Sequence, residues 1–364
     1  MTKVLFENHH LYYLPNFIPV IQEMRKRNNY KIIASISNIA DKEEKNIFIE
    51  TCKKLNIDTI IEEIESERIL KIKEYEFDVV IVGNIGQLNK IVDSDDVLTV
   101  MIYHGIGLKQ SYYNDIDPRI DLRSVESESR MKELKSHGHE NLALTGFTKC
   151  DPLSCMNQEK LNSFTLDQNL KTILYAPSFY PSSIDMLNQV FPELSYETNL
   201  IIKLHNFSWF QAKYKYQSKM MLELAEKNRN IFLVPRDDYN IIPYYYNSDL
   251  LISDISSTIF EFLYLNRPII MAECFNLRLK HKIFNKRFIK KMDLSRMESI
   301  DFVLRLEDPN NLISLVYHSL EYPKDLEQER LVAQREYLFK LDGKASYRMV
   351  NAIESKLIGS NNWE

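Results

Sequence analysis

Short apolar runs alternate with amphipathic stretches along most of the chain. Val4–Phe6, Tyr30–Ala34, Thr59–Ile61, Val79–Val82, Leu98–Ile102 and Leu142–Leu144 have strand length. Between them, residues 14–27, 42–55, 65–75 and 126–136 place apolar side chains at helical intervals. A second series runs through Thr172–Tyr175, Leu200–Leu204, Ile231–Val234, Leu250–Ser253 and Pro268–Met271, and helical patterns return at 309–320, 325–338 and 345–357. Alternating strand and helix predict parallel sheets with helices on both faces. The stretch 146–170 is polar and poor in pattern, which places a boundary there. The expected organisation is an α/β domain over 1–165, a second over 166–340, and a helix in 341–364 that packs back on the first.

A chain of 364 residues is longer than one hydrophobic core usually grows, which agrees with two domains. Only 8 residues are glycine, and neither a G-x-G-x-x-G nor a phosphate-loop G-x-x-x-x-G-K-[ST] pattern occurs. A net charge of −5 gives no general attraction to nucleic acid, so no nucleic-acid partner is expected. The cysteines, Cys52, Cys150, Cys155 and Cys274, form no C-x-x-C pair and read as reduced thiols of a cytoplasmic protein. No secretory leader pattern and no apolar run near the ~18 residues of a membrane span are found.

The richest local signal is Ser248–Glu273. An apolar run, Leu250–Ile252, ends in Ser253-Asp254-Ile255-Ser256-Ser257; a helical pattern follows, then Asn266-Arg267-Pro268 and a second apolar run. Asp254, Ser256 and Ser257 would stand at the start of that helix, at the carboxyl end of a strand. There they either form an ordinary cap or cradle an anion such as a phosphate. Glu261, one helical turn on, either bonds ribose hydroxyls or is a solvated surface carboxylate.

Three other strand ends carry chemistry. His104-Gly105 follows Leu98–Ile102, where a histidine either acts as a general base or satisfies a loop. Lys203-Leu204-His205 ends a strand of the second half, with Lys203 free to face the other side. Ser178, in Tyr175-Ala176-Pro177-Ser178, bonds either backbone or phosphate. His9-His10 and His137-Gly138-His139 lack the neighbours of a metal site, with His10 retained as a minor candidate. Asp93-Ser94-Asp95-Asp96 and Asp115-Ile116-Asp117 read as solvated acidic loops, so no metal is assigned. Residues 280–291, KHKIFNKRFIKK, are a dense basic patch that would suit an anionic membrane surface, a nucleotide or solvent.

Taken together, His104-Gly105, TGFTKCD at 145–151, ILYAPSF at 173–179, KLH at 203–205, SDISSTIFEFLYLNRPII at 253–270 and DGKASYRM at 342–349 resemble the CDP-glycerol glycerophosphotransferase family. These are the wall teichoic acid primases and polymerases and related capsule enzymes. The chain departs from the family pattern at Ile106-Gly107, at Ile255 and at Lys149-Cys150. The resemblance implies an α/β, GT-B-like fold: two doubly wound Rossmann-like domains with an interdomain cleft. It also implies a metal-independent transfer from CDP-glycerol, or another CDP-polyol or nucleotide-linked donor, to a hydroxyl of a lipid-linked or glycan acceptor. CMP would be released, and no cofactor is expected. By the same resemblance the catalytic residues are His104 and His205. The donor-binding residues are Gly105, Ser178, Lys203, Asp254, Ser256, Ser257 and Glu261. The protein would be cytoplasmic, with peripheral contact at the cytoplasmic face of the membrane. The alternatives are another GT-B enzyme, a glycosyltransferase or UDP-sugar 2-epimerase-like protein with a different donor, and a binding protein without chemistry.

Overall fold

The computed structural model describes residues 1–86, 88–106, 113, 117–156, 166–275 and 297–359. The chain divides into two compact units. The first comprises Met1–His104, Tyr113–Cys155 and Glu336–Glu364, and the second comprises Gly105–Tyr112 and Met156–Arg335.

The first unit is built on a seven-stranded sheet of β1 (Thr2–Asn8), β2 (Tyr30–Ile36), β3 (Asp58–Ile60), β4 (Val79–Val82), β5 (Leu98–Met101), β6 (Leu122–Val125) and β7 (Leu142–Leu144). Their spatial order is β3-β2-β1-β4-β5-β6-β7 and every pairing is parallel. The second unit carries β8 (Lys171–Ala176), β9 (Thr198–Ile202), β10 (Ile231–Leu233), β11 (Leu250–Ser253), β12 (Ile269–Ala272) and β13 (Leu304–Leu306). Its order, β10-β9-β8-β11-β12-β13, is again parallel throughout. In each sheet the chain winds outward one way from its first strand, then returns to that strand's other side. The order therefore reverses between β1 and β4 and between β8 and β11. Crossovers on opposite sides of that point leave a crevice at the strand carboxyl ends, where open α/β sheets bind ligands.

The apolar runs explain the central strands. Val79–Val82 are at most 2% exposed, and Leu250–Ile252 are fully buried. Each such side chain contributes roughly 1.5–3 kcal/mol through burial. Two strands escape the apolar pattern. β6 reads Leu-Arg-Ser-Val, yet all four residues are buried. The Arg123 guanidinium is satisfied inside by Met101 Sδ and the Tyr103 hydroxyl, both at 3.4 Å. β13 has only three residues and forms a sheet edge, too short to register as a periodic run.

Two motifs of the sequence meet in the first unit as a mechanical clasp. The turn Thr148–Ser154 presents Asp151, whose carboxylate accepts from the amides of Ala345 at 2.9 Å and Ser346 at 2.7 Å and from the Ser346 hydroxyl. It thereby caps the helix Ala345–Leu357. Arg348 then donates to the Thr145 carbonyl at 2.7 Å and pairs with Asp342. Gly343 sits at φ +66°, and a Cβ there would lie 1.8 Å from Ser154 Oγ, so that turn requires glycine. Removing the clasp by Asp151→Ala orphans two buried amides. It is expected to destabilise the first unit by about 2 kcal/mol, read as a lower thermal midpoint.

All four cysteines are free thiols; Cys155 is exposed and the others are buried. Among the described residues, no helix is long and apolar enough to cross a membrane. The basic patch 280–291 and Gly107–Lys109 lie outside the described residues.

Candidate functional site

In the first unit the reversal point lies between β1 and β4, and the segments leaving β1, β4 and β5 bring His104 and its contacts together. His104 follows β5 and is half-buried, and the next residue, Gly105, is buried. The Nδ1 atom of His104 lies 3.1 Å from the Gly83 carbonyl oxygen. A carbonyl only accepts, so Nδ1 carries a proton, and in the neutral form of the ring the lone pair lies on Nε2. Two tyrosines hold the ring in place: Tyr13 with centroids 4.5 Å apart and Tyr12 edge-on at 5.6 Å. Tyr13 is itself fixed, its hydroxyl accepting from Asn84 at 2.6 Å. Gly83 makes this possible, because a Cβ there would fall 2.1 Å from Tyr13 Cδ1.

In the second unit the reversal point lies between β8 and β11. Asp254, just past β11, is 1% exposed and acts as the hub. Its Oδ2 accepts from the Ser178 amide at 2.8 Å, and its Oδ1 from the Ser183 amide at 3.1 Å and the Ser183 hydroxyl. Ser183 also bonds the buried Tyr175 hydroxyl at 2.8 Å. Burial pushes the Asp254 carboxyl up to about 6, against the pull of the serine hydrogen bonds. Asp254 thus ties the loop after β8 to the turn after β11. Ser178 is part of that tie through its amide, while its hydroxyl donates to the Pro181 carbonyl.

The turn itself runs into the helix Thr258–Phe262 with Ser257 as its N-cap. Among the described residues, the amides of Ile255, Ser256 and Ser257 meet no acceptor. The Ser257 hydroxyl donates to Glu261 Oε1 at 3.1 Å, and Tyr245 donates to Glu261 Oε2 at 3.0 Å. Glu261 is fully buried, which removes the reading of it as a solvated surface carboxylate. It lies beneath the turn and orients the Ser257 hydroxyl.

His205 follows β9 and caps the helix Asn206–Phe210, its Nδ1 accepting from the Phe207 amide at 3.1 Å. The amide only donates, so here Nδ1 is the bare nitrogen and Nε2 carries the proton. Phe179 and Phe207 pack on the ring at 4.7 and 5.1 Å. Lys203, 8% exposed, is tied by its amide to the Tyr175 carbonyl at 2.9 Å. The second unit's sheet therefore gathers Ser178, Lys203, His205, Asp254, Ser256 and Ser257 at the carboxyl ends of three adjacent strands. His104 stands at the corresponding end of the first unit's sheet. Local sequence gave no sign of Gly83, Asn84 or Ser183. The only hint was a glycine directly after a buried run, Val79–Val82. Among the described residues, no three His, Cys, Asp or Glu side chains group as a metal site.

A family model described as CDP-Glycerol:Poly(glycerophosphate) glycerophosphotransferase matches residues 123–355, a span that contains the second-unit site and the Asp151 clasp but not His104. The teichoic acid glycerol-phosphate primase of Bacillus subtilis (strain 168) is 27% identical over 167 residues, 44% of this chain and 40% of that protein. The match thus spans about two-fifths of that relative's length. Among solved structures, a CDPG-soaked variant of wall teichoic acid polymerase TagF aligns with TM-score 0.70 at 16% identity, covering 98% of this chain and 89% of that one. UDP-GlcNAc 2-epimerase from Neisseria meningitidis, bound to UDP-GlcNAc, aligns with TM-score 0.64 at 16% identity, covering 97% and 100%. At those identities the likeness establishes the fold, an α/β, GT-B-like arrangement of parallel sheets. The family match covers well over half of the chain, and the chain belongs to the CDP-glycerol glycerophosphotransferase family.

Proposed function

We propose that the chain transfers a glycerol phosphate, or related polyol phosphate, from a CDP-linked donor to a hydroxyl of a lipid-linked or glycan acceptor. The product belongs to a cell-wall teichoic acid or capsule polymer. The second unit binds the donor, and the first, to which the helix Ala345–Leu357 belongs, serves the acceptor. The observation that carries this reading is that the two histidines bond through Nδ1 in opposite senses, His104 to a carbonyl and His205 to an amide. His104 offers a basic nitrogen, suited to an acceptor hydroxyl. His205 offers an N–H, suited to a phosphate oxygen.

The chemistry follows from those roles. The acceptor oxygen bonds to the β-phosphorus of the donor while the bond from that phosphorus to the bridging oxygen breaks. The acceptor proton passes to His104 Nε2, and the bridging oxygen leaves on CMP. Phosphoryl-type transfer depends on alignment and charge stabilisation rather than covalent help. The Ser256–Ser257 turn, Lys203 and His205 supply that charge stabilisation without a metal, with Gly105 allowing close approach beside the base. Asp254 and Glu261 act through the turn they hold. A lipid-linked acceptor would bring the chain to the cytoplasmic membrane face, which binding to anionic liposomes at low salt tests directly.

The deciding experiment is CMP release from CDP-glycerol, beside CDP-ribitol, UDP-GlcNAc and CMP-linked sugars, with chelator present. Chelator-resistant release from a CDP-polyol supports the reading. Turnover of UDP-GlcNAc alone would replace it with the epimerase-like one.

Asp254 adds a pH dependence. Its carboxylate accepts both loop amides at full strength when ionised, hence above about pH 6, and its protonated form keeps one strong acceptor. Donor KM is therefore expected to rise several-fold between about pH 7 and pH 5. Protonating this group does not itself weaken the fold: a carboxyl raised above its ordinary 3.8 binds its proton more tightly folded than unfolded. This group therefore makes the fold more stable, not less, as pH drops through 6. An Asp254→Asn variant should show a high donor KM without that step.

A further inference from the structure

Beside His104 lies a second assembly that the proposed chemistry has not used. β1 ends at Asn8 and delivers His9 and His10 at the reversal point of the first unit's sheet. The two side chains have separate environments. His9 packs where Gly86 has no side chain, a Cβ there falling 1.9 Å from its Nε2, and burial pushes its ring down to about 4. His10 is instead held by a carboxylate: its Nδ1 lies 3.2 Å from Glu44 Oε2. Glu44 Oε1 accepts from the Leu11 amide at 2.7 Å, and the carboxylate is 1% exposed.

Glu44 is the third residue of the helix Lys42–Lys54 and closes a capping box with Asp41. Such a box needs one carboxylate oxygen reaching back, and an exposed side chain can supply it. Sinking the group against Leu11 and His10 adds a desolvation cost that capping does not require. What it gains is a fixed imidazole. The His10 ring lies parallel to Tyr12, 12° apart with centroids at 5.7 Å. Tyr12 in turn meets His104 edge-on at 5.6 Å. A single tyrosine ring thus separates a carboxylate-oriented imidazole from the proposed base.

Tyr12 also packs on Tyr13 with centroids 4.7 Å apart, yet it stays half-buried, and the ring surface it keeps open beside the imidazoles suits a ligand with both C–H and hydroxyl surface. The buried carboxylate behind His10 disfavours an anion there. We infer that His10 and Tyr12 form the acceptor-binding subsite. His10 would bond a hydroxyl next to the attacking one, Tyr12 would pack against the polyol or sugar carbons, and Glu44 would be the positioning residue. This rests on the reading of His104 as base.

The test separates acceptor from donor. With a glycerol phosphate trimer as acceptor, His10→Ala and Tyr12→Ala are expected to raise acceptor KM about tenfold or more while donor KM moves less than about twofold. His10→Gln, which keeps a polar group at the ring's outer edge, should recover part of the loss. Glu44→Gln, which keeps the Leu11 bond, should show the same split in weaker form. Thermal midpoints identify variants that fail to fold. Unchanged acceptor KM in a folded His10→Ala chain overturns the subsite. Wild-type protein inert toward every CDP-polyol would instead refute the functional reading. Calorimetric titration with the same trimer then decides His10: equal affinity in wild type and His10→Ala rejects the inference, and loss in the variant sustains it.

Discussion

Replacing His104 by glutamine is expected to lower kcat for glycerol phosphate transfer by about 100- to 10,000-fold, the range general-base catalysis supplies. Donor KM should change little, because His104 belongs to the first unit, whereas the proposed donor groups belong to the second. The physical basis is the bond from Nδ1 to the Gly83 carbonyl, which leaves the lone pair on Nε2. Glutamine can still donate to a backbone carbonyl, and its volume is near that of the ring between Tyr12 and Tyr13. The fold should therefore persist, and the thermal midpoint of the variant checks that it does. A folded His104→Gln chain that transfers at a wild-type rate would remove His104 from the chemistry and leave the acceptor proton without a recipient.

The parallel sheets were legible because buried strands are written as uninterrupted apolar runs. Val79–Val82 and Leu250–Ser253 can be read directly from the sequence, with the boundaries the structure has. β6 was hidden because its Arg123 finds hydrogen-bond acceptors about 20 residues away, Met101 and Tyr103. The site shows the same division. Strand ends place His104, His205 and the Asp254–Ser257 turn by local pattern alone. What each side chain does is decided over distances that no window contains. Asp254 meets Ser183 across 71 residues, His104 meets Gly83 across 21, and Asp151 meets Ser346 across 195. Glu261 illustrates the cost of local reading: helical spacing cannot tell a solvated face from one covered by Tyr245.

The proposed mechanism adds a second duty, on Nε2, to the helix cap that His205 makes through Nδ1, and two substitutions separate them. In His205→Asn the amide oxygen can take the place of Nδ1 and accept from the Phe207 amide, so the helix Asn206–Phe210 keeps its cap. The donor at the Nε2 position is lost. Transfer is then expected to fall by about 100- to 1,000-fold, as when a single oxyanion donor is removed, with the thermal midpoint held. His205→Gln reverses the pattern: its longer amide can offer an N–H near the Nε2 position but leaves the cap vacant. That variant should lose about 1 kcal/mol of stability yet retain more activity than His205→Asn. Measuring kcat and thermal midpoint on both variants distinguishes a phosphate ligand from a structural cap. If the asparagine variant turned over normally, the N–H would have no part in the chemistry. The aromatic notch of Phe179 and Phe207 would then serve only to seat a helix cap.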